Sequence, residues 1–234
     1  MDIPTTGIIF TFGTFIYFFL SWRFQRYHKL EENYIARIFS FSFMFLGLGN
    51  LIVAVPCLFL NNDVSLWRII APLQLVFISM GYLLILYNVL WSKIKEYAVY
   101  IVAFILVIVI YGMFLQITHP SVYFFTDGVL NWKPNPVMQI FSPALLLFAV
   151  PSILFFFYEA KRTTDKRTRT RAFGLGLMVT WMIVTALMDL FLLTVLKVHP
   201  IYSDLNYLLM YLIIVITLIL TWGPPRSKWA TKVE

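Results

Sequence analysis

Charge is scarce in this chain, and cysteine is almost absent. Only 12% of its 234 residues are Asp, Glu, Lys or Arg, whereas 61% are hydrophobic. A soluble domain of this length needs a polar surface that such a composition does not supply. The single cysteine, Cys57, excludes an intrachain disulfide framework. Enzyme motifs are missing too: there is no HExxH, no GxSxG and no Walker-type glycine loop. Every lysine falls in a loop, a tail or a span end, so a retinal Schiff base inside a bundle is not expected. The sequence thus assigns no catalytic residue and no cofactor. The opening Met-Asp-Ile-Pro lacks the basic segment of a signal peptide, so the first apolar run is expected to stay as a span.

What the chain has in quantity is apolar runs of about 20 residues, the length a helix needs to cross roughly 30 Å of hydrocarbon. Seven such spans are predicted, at about 7–22, 36–60, 68–91, 97–118, 138–158, 172–196 and 203–222. The runs are continuous rather than alternating, which excludes a β-barrel. The fold class expected is an all-α polytopic membrane protein, a seven-helix transmembrane domain over 1–222 with a short tail over 223–234.

Orientation follows from the basic residues. The segment 159–171 reads as a loop carrying Lys161, Arg162, Lys166, Arg167, Arg169 and Arg171 between two apolar runs. Lys and Arg beside membrane spans are retained on the cytoplasmic side. Placing this loop inside puts fifteen of the eighteen basic residues inside by alternation; Arg68, Lys133 and Lys197 remain outside. The expected topology is N-terminus out and C-terminus in, in the cell membrane. The six charges of 159–171 are expected to touch lipid headgroups or a cytoplasmic signalling partner. Nucleic acid is not expected, because no aromatic stacking platform accompanies them. A homodimer is compatible with the sequence.

Between the fourth and fifth spans, two β-prone runs flank Asp127-Gly128, the signal for a two-residue hairpin. The fifth span contains Pro143 and Pro151, which predicts a bent or broken helix of the kind that lines cavities. The fourth span has no polar side chain from Ile101 to Ile110 and is expected at the periphery. The segment after the first span, 23–32, is expected to continue as an amphipathic surface helix. Asn50 and Asn88 are expected to bond between helices.

Asp189 stands out as the one ionisable side chain well inside a predicted span. A charge at that depth costs about 3 kcal/mol on insertion scales, so such residues usually face the bundle interior. It serves either a ligand, ion or proton site, or a hydrogen-bonded structural role. Trp181, Thr185 and Asp189 recur every four residues and share a helix face, as do Tyr207 and Tyr211. The expected ligand site is an outer-half cavity with Asp189 on its wall and Trp181 as its floor. Thr185, Gln74, Tyr207 and Tyr211 contribute to it, and Arg68 folds inward to pair with Asp189. Ser142 is a further polar residue of the outer half. His119, His199 and Asp204 are weak candidates for a metal site; both histidines precede proline in loops, and no metal is assigned.

These features together resemble the N-terminal seven-transmembrane sensor region of certain prokaryotic histidine kinases. The match rests on the outside N-terminus, the hairpin from Val122 to Trp132, and the basic run Lys166-Arg-Thr-Arg-Thr-Arg-Ala-Phe-Gly-Leu-Gly opening the sixth span. In that family the seventh span feeds a PAS or kinase domain, whereas this sequence stops twelve residues after Trp222. The resemblance implies a receptor-like sensor for a small or lipophilic ligand, either stand-alone or the sensor half of a longer protein. A small secondary transporter, or a transporter subunit, using Asp189 as its proton or cation site is the alternative. A membrane scaffold is the third.

Overall fold

A computed structural model gives the protein's structure for residues 2–133 and 135–223. The tail with Arg226, Lys228 and Lys232 and the side chain of Ser142 lie outside the described residues. Seven segments are helical, long and apolar enough to cross a membrane. They are α1 (Thr5–Glu31), α2 (Tyr34–Leu58), α3 (Val64–Lys93), α4 (Lys95–Thr118), a fifth span made of α5 (Pro136–Leu147) and α6 (Val150–Arg162), α7 (Lys166–Leu190) and α8 (Ile201–Trp222). The chain is a multi-pass helical membrane protein with one small β-hairpin.

Short links between long helices leave the chain no choice but to double back. Glu32, in the left-handed region at φ 51°, and Asn33 join α1 to α2, and Asn33 caps α2 by accepting the Ala36 amide at 3.1 Å. Ile94 alone separates α3 from α4. Residues 163–165 join α6 to α7, where the Asp165 carboxylate accepts the Thr168 amide at 2.7 Å. The segment 159–171 is therefore not a loop. Its basic residues sit on two helix ends around a three-residue link, because N-capping by Asp165 starts α7 within the charge run.

One end of the bundle gathers the C-termini of α1, α3, α6 and α8 with the N-termini of α2, α4 and α7. Lys93 meets Glu159 at 2.7 Å there, and Arg167 and Arg171 meet Glu31 at 2.7 and 2.9 Å. Twelve basic residues lie at this end among those described, and Arg68, Lys133 and Lys197 lie at the other. The segment after the first span does not lie on the surface. It prolongs α1 without a break, and Phe24 and Tyr27 are buried against Phe39, Phe43 and Trp222.

At the opposite end, β1 (Val122–Thr126) and β2 (Val129–Lys133) pair antiparallel, from Val122 with Lys133 to Thr126 with Val129. Asp127 (φ 52°) and Gly128 (φ 77°) form the turn, both left-handed as a tight hairpin requires. A Cβ on Gly128 would lie 1.8 Å from the Ile3 carbonyl oxygen, so the turn also needs glycine for close approach. Tyr123 stacks on Trp67 at 4.9 Å, the Phe125 amide donates to Asn62, and the Leu130 amide donates to Thr6. The hairpin is thereby tied to α1, to the α2–α3 link and to α3.

The fifth span breaks at Phe148 and Ala149. Their amides turn back three residues, to Leu145 and Leu146, and Pro151 opens α6 where its missing N–H costs nothing. The sixth span ends differently from an α-helix: Phe191–Leu196 widens into a π-helical turn that closes at Lys197 with φ 50°.

Candidate functional site: a cavity beneath the hairpin

A cavity of about 290 Å³ runs from the hairpin into the upper bundle. Its roof carries Tyr123, Leu130 and Trp132. One side is a stripe of α3, in which Trp67, Ala71, Gln74, Ile78 and Tyr82 recur at helical spacing. The broken fifth span supplies Leu145, Phe148 and Ala149, where a straight helix would have closed the gap.

Two carboxyls face this space, Asp189 from α7 and Asp204 from α8, 7% and 4% exposed. The Ser203 hydroxyl donates to one Asp189 oxygen, and the Tyr207 hydroxyl donates to the other at 3.4 Å. Thr6 donates to Asp204 at 2.6 Å and accepts the Leu130 amide of the hairpin at 2.8 Å. Thr6 therefore links one carboxyl directly to the roof. No Lys, Arg or His is among the described residues that line the cavity. Hydroxyl donors alone hold the two acidic groups, in a wall that is otherwise largely apolar. Burial pushes the Tyr123 hydroxyl up to about 12, against hydrogen bonds from Gln116 and Ser121 that pull it down. The roof phenol is neutral at any physiological pH.

Of the residues expected at a ligand site, Asp189, Gln74 and Tyr207 line this cavity. The others do not. Trp181 is 36% exposed and forms no floor. The cause is geometric: residues four apart drift about 40° around a helix, so eight positions carry Trp181 well away from Asp189. The face of the sixth span that looks into the cavity is Ala186, Asp189 and Leu190 of α7 with Leu193 of the π-helical turn. Thr185 is buried between helices, its carbonyl accepting the Asn206 amide at 3.0 Å. Tyr211 is sealed in the core, where Asn50 donates to its hydroxyl at 2.8 Å and Tyr17 packs edge-on at 5.6 Å. Arg68 is exposed one position past the cavity-facing Trp67 and does not pair with Asp189, since a guanidinium keeps its hydration where it can.

The basic end divides similarly. Lys161, Arg162, Lys166 and Arg169 are exposed. Arg167 and Arg171 are engaged by Glu31, and the Arg171 side chain is only 12% exposed. Those two charges build the fold rather than offering a free docking surface. The weak metal candidates do not assemble. His199 lies 3.6 Å from Asp127, Asp204 is inside with Thr6, and no group of three ligating residues occurs among the described residues.

Thr6 and Gln116 went unassigned from the sequence, and Asp204 was expected only as a weak metal ligand, although a signal for the cavity existed in two of the three. Asp204, Tyr207 and Tyr211 share one helical face, and Gln116 continues the spacing of Ile105, Val109 and Gly112 on α4. The helix expected at the periphery thus contributes to the cavity wall.

Fold and site together define a multi-pass helical membrane protein with an acidic cavity under a β-hairpin. The chain matches no family model, no curated protein and no solved structure.

Proposed function

We propose that the chain is a receptor-type membrane sensor. A small ligand occupies the cavity under the hairpin, and the basic end reports its presence inside the cell. The observation that carries this reading is the cavity itself, roofed by a hairpin that is hydrogen-bonded through Thr6 to one of its two carboxyls. A ligand shifts such a molecule only by binding its states unequally. A group that disturbs the carboxyls also disturbs the contacts of Thr6, Ser203 and Tyr207 with three elements. The basic end faces the cytoplasm in this reading, by the charge asymmetry between the two ends. Its exposed Lys161, Arg162, Lys166 and Arg169 meet lipid headgroups or a signalling partner. The resemblance to histidine-kinase sensor regions points the same way.

Filling the cavity tests the coupling. Ala186→Trp places a large side chain against the cavity and far from the basic end. Hydrogen exchange over 159–171 in nanodiscs is expected to change at least twofold. Unchanged exchange there, in a folded variant, would remove the sensor reading. Cysteines at Asp127 and Thr164 are expected to label from opposite sides of intact membranes; labelling from one side would overturn the orientation. The paired carboxyls also favour a second reading, a cation-coupled transporter. Concentrative uptake in proteoliposomes would select it over the sensor.

A further inference from the structure

We infer that the cavity takes a small amphipathic cation, a protonated amine on an apolar body. This rests on the reading of the cavity as a ligand site and adds the chemistry of the ligand. Three polar groups decide it. Asp189 and Asp204 face the same space with hydroxyl partners only and no basic side chain among the described lining residues. Independently of them, Gln116 is 8% exposed, lines the cavity, and its Oε1 has no hydrogen-bond partner among the described residues. A buried acceptor without a donor is costly, and a ligand that brings donors removes the cost. The two carboxylates and the Gln116 Oε1 all accept, while the Gln116 amide N–H faces Tyr123. The complementary ligand is therefore a donor, and two carboxyls favour one that carries positive charge.

The rest of the wall sets its shape. Phe10, Trp67, Tyr82, Trp132 and Leu145 offer apolar and aromatic surface, which suits a hydrocarbon body and the face-on approach of a cation. A bare metal ion would leave most of about 290 Å³ unfilled. It would also lack ligands, since metal sites of the hard-cation type take six or more oxygens. An anion would meet two carboxyls and no compensating charge. A lipophilic neutral molecule would leave Gln116 and the acidic pair as they are.

The test uses the full chain purified in nanodiscs and tritiated 2-phenylethylamine, with cyclohexylmethylamine as a second cation. Competitors are 2-phenylethanol and 3-phenylpropionate, which keep the body and change the charge. The expected result is saturable binding displaced by the cations at concentrations at least tenfold below either competitor. Asp189→Asn and Asp204→Asn should each weaken binding at least tenfold and Gln116→Leu about threefold, while Arg26→Ala at the basic end leaves it unchanged. The charge comparison needs no variant, so it stands even where a variant fails to fold. Failure of both cations to bind overturns the proposal. So does binding of the alcohol or the acid as tightly as the amines, but that outcome, if lost in Ala186→Trp, leaves a ligand site in place. Unmoved hydrogen exchange at 159–171 instead removes the sensor reading and leaves the cation site standing.

Discussion

Replacing Glu31 with alanine is expected to cost about 1.5–3 kcal/mol, the range for charge-assisted hydrogen bonds in a part-buried cluster. Glu31 pairs with Arg171 at 2.9 Å and with Arg167 at 2.7 Å, and its side chain is 13% exposed. Arg171 in turn lies over the rings of Tyr27 and Trp222, 5.3 and 4.8 Å from their centroids. The Tyr27 hydroxyl donates to the carbonyls of Trp222 and Gly223, and Arg23 donates to Gly223 at 3.0 Å. These donors satisfy carbonyls that the last turn of α8 leaves without helical partners. Removing Glu31 leaves the part-buried Arg171 without this counter-charge and loosens this clamp on α1, α7 and α8 together. Unfolding in mixed micelles, run as a double-mutant cycle with Arg171→Met, checks it. The pair should lose less than the sum of the single losses. A loss below 1 kcal/mol for Glu31→Ala would show that the cluster is decorative.

Gly13→Leu is expected to be comparably damaging at the centre of the bundle. A Cβ at this position would stand 2.3 Å from the ring of Tyr211 and 2.7 Å from the Asn50 amide. The ring cannot retreat freely, because Tyr17 packs against it and Asn50 holds its hydroxyl. Overpacking of this kind costs about 1–3 kcal/mol. Losing an interhelical side-chain bond adds about 0.6–1.7 kcal/mol inside a membrane. Gly13→Ala should show the smaller share of this and Gly13→Leu the whole, in the same unfolding assay. Unchanged stability in Gly13→Leu would mean that α1 and α8 do not approach as closely as this contact requires.

The spans were legible in the sequence because hydrocarbon thickness imposes a length that composition reveals directly. The hairpin was legible for an equally local reason: Asp127-Gly128 between β-prone runs specifies the turn by itself. The break near Pro151 follows from proline's missing amide, and it lies where the fifth span was expected to bend. Helix faces were harder. Trp181 and Asp189 looked like one face because four-residue steps were treated as exact, and the 40° drift per step separates them over two turns. Asp204 was hidden by its position in the first turn of α8, where an acidic residue ordinarily stabilises the helix N-terminus in water. Asp204 leaves solvent through long-range packing, with Thr6 of α1 bonded to it and to the hairpin above, and no local pattern in the sequence encodes that packing. The basic segment was read correctly as a charge cluster and wrongly as a loop, since hydropathy falls at charged residues whether or not the backbone stays helical.

The central claim is that an acidic, enterable cavity lies beneath the hairpin, and single-cysteine labelling addresses it most directly. Cys57, the one native cysteine, is fully buried and is replaced by serine to give a silent background. Ser79→Cys then places a thiol on the cavity wall, and Ile69→Cys places one on the exposed outside of α3. The cationic reagent 2-aminoethyl methanethiosulfonate and its anionic sulfonatoethyl counterpart are compared at each site. The account predicts that Ser79→Cys reacts at least tenfold faster with the cation, normalised to Ile69→Cys, and that Asp189→Asn with Asp204→Asn abolishes the difference. Equal rates for the two reagents at Ser79→Cys, or no reaction there with either, would contradict it.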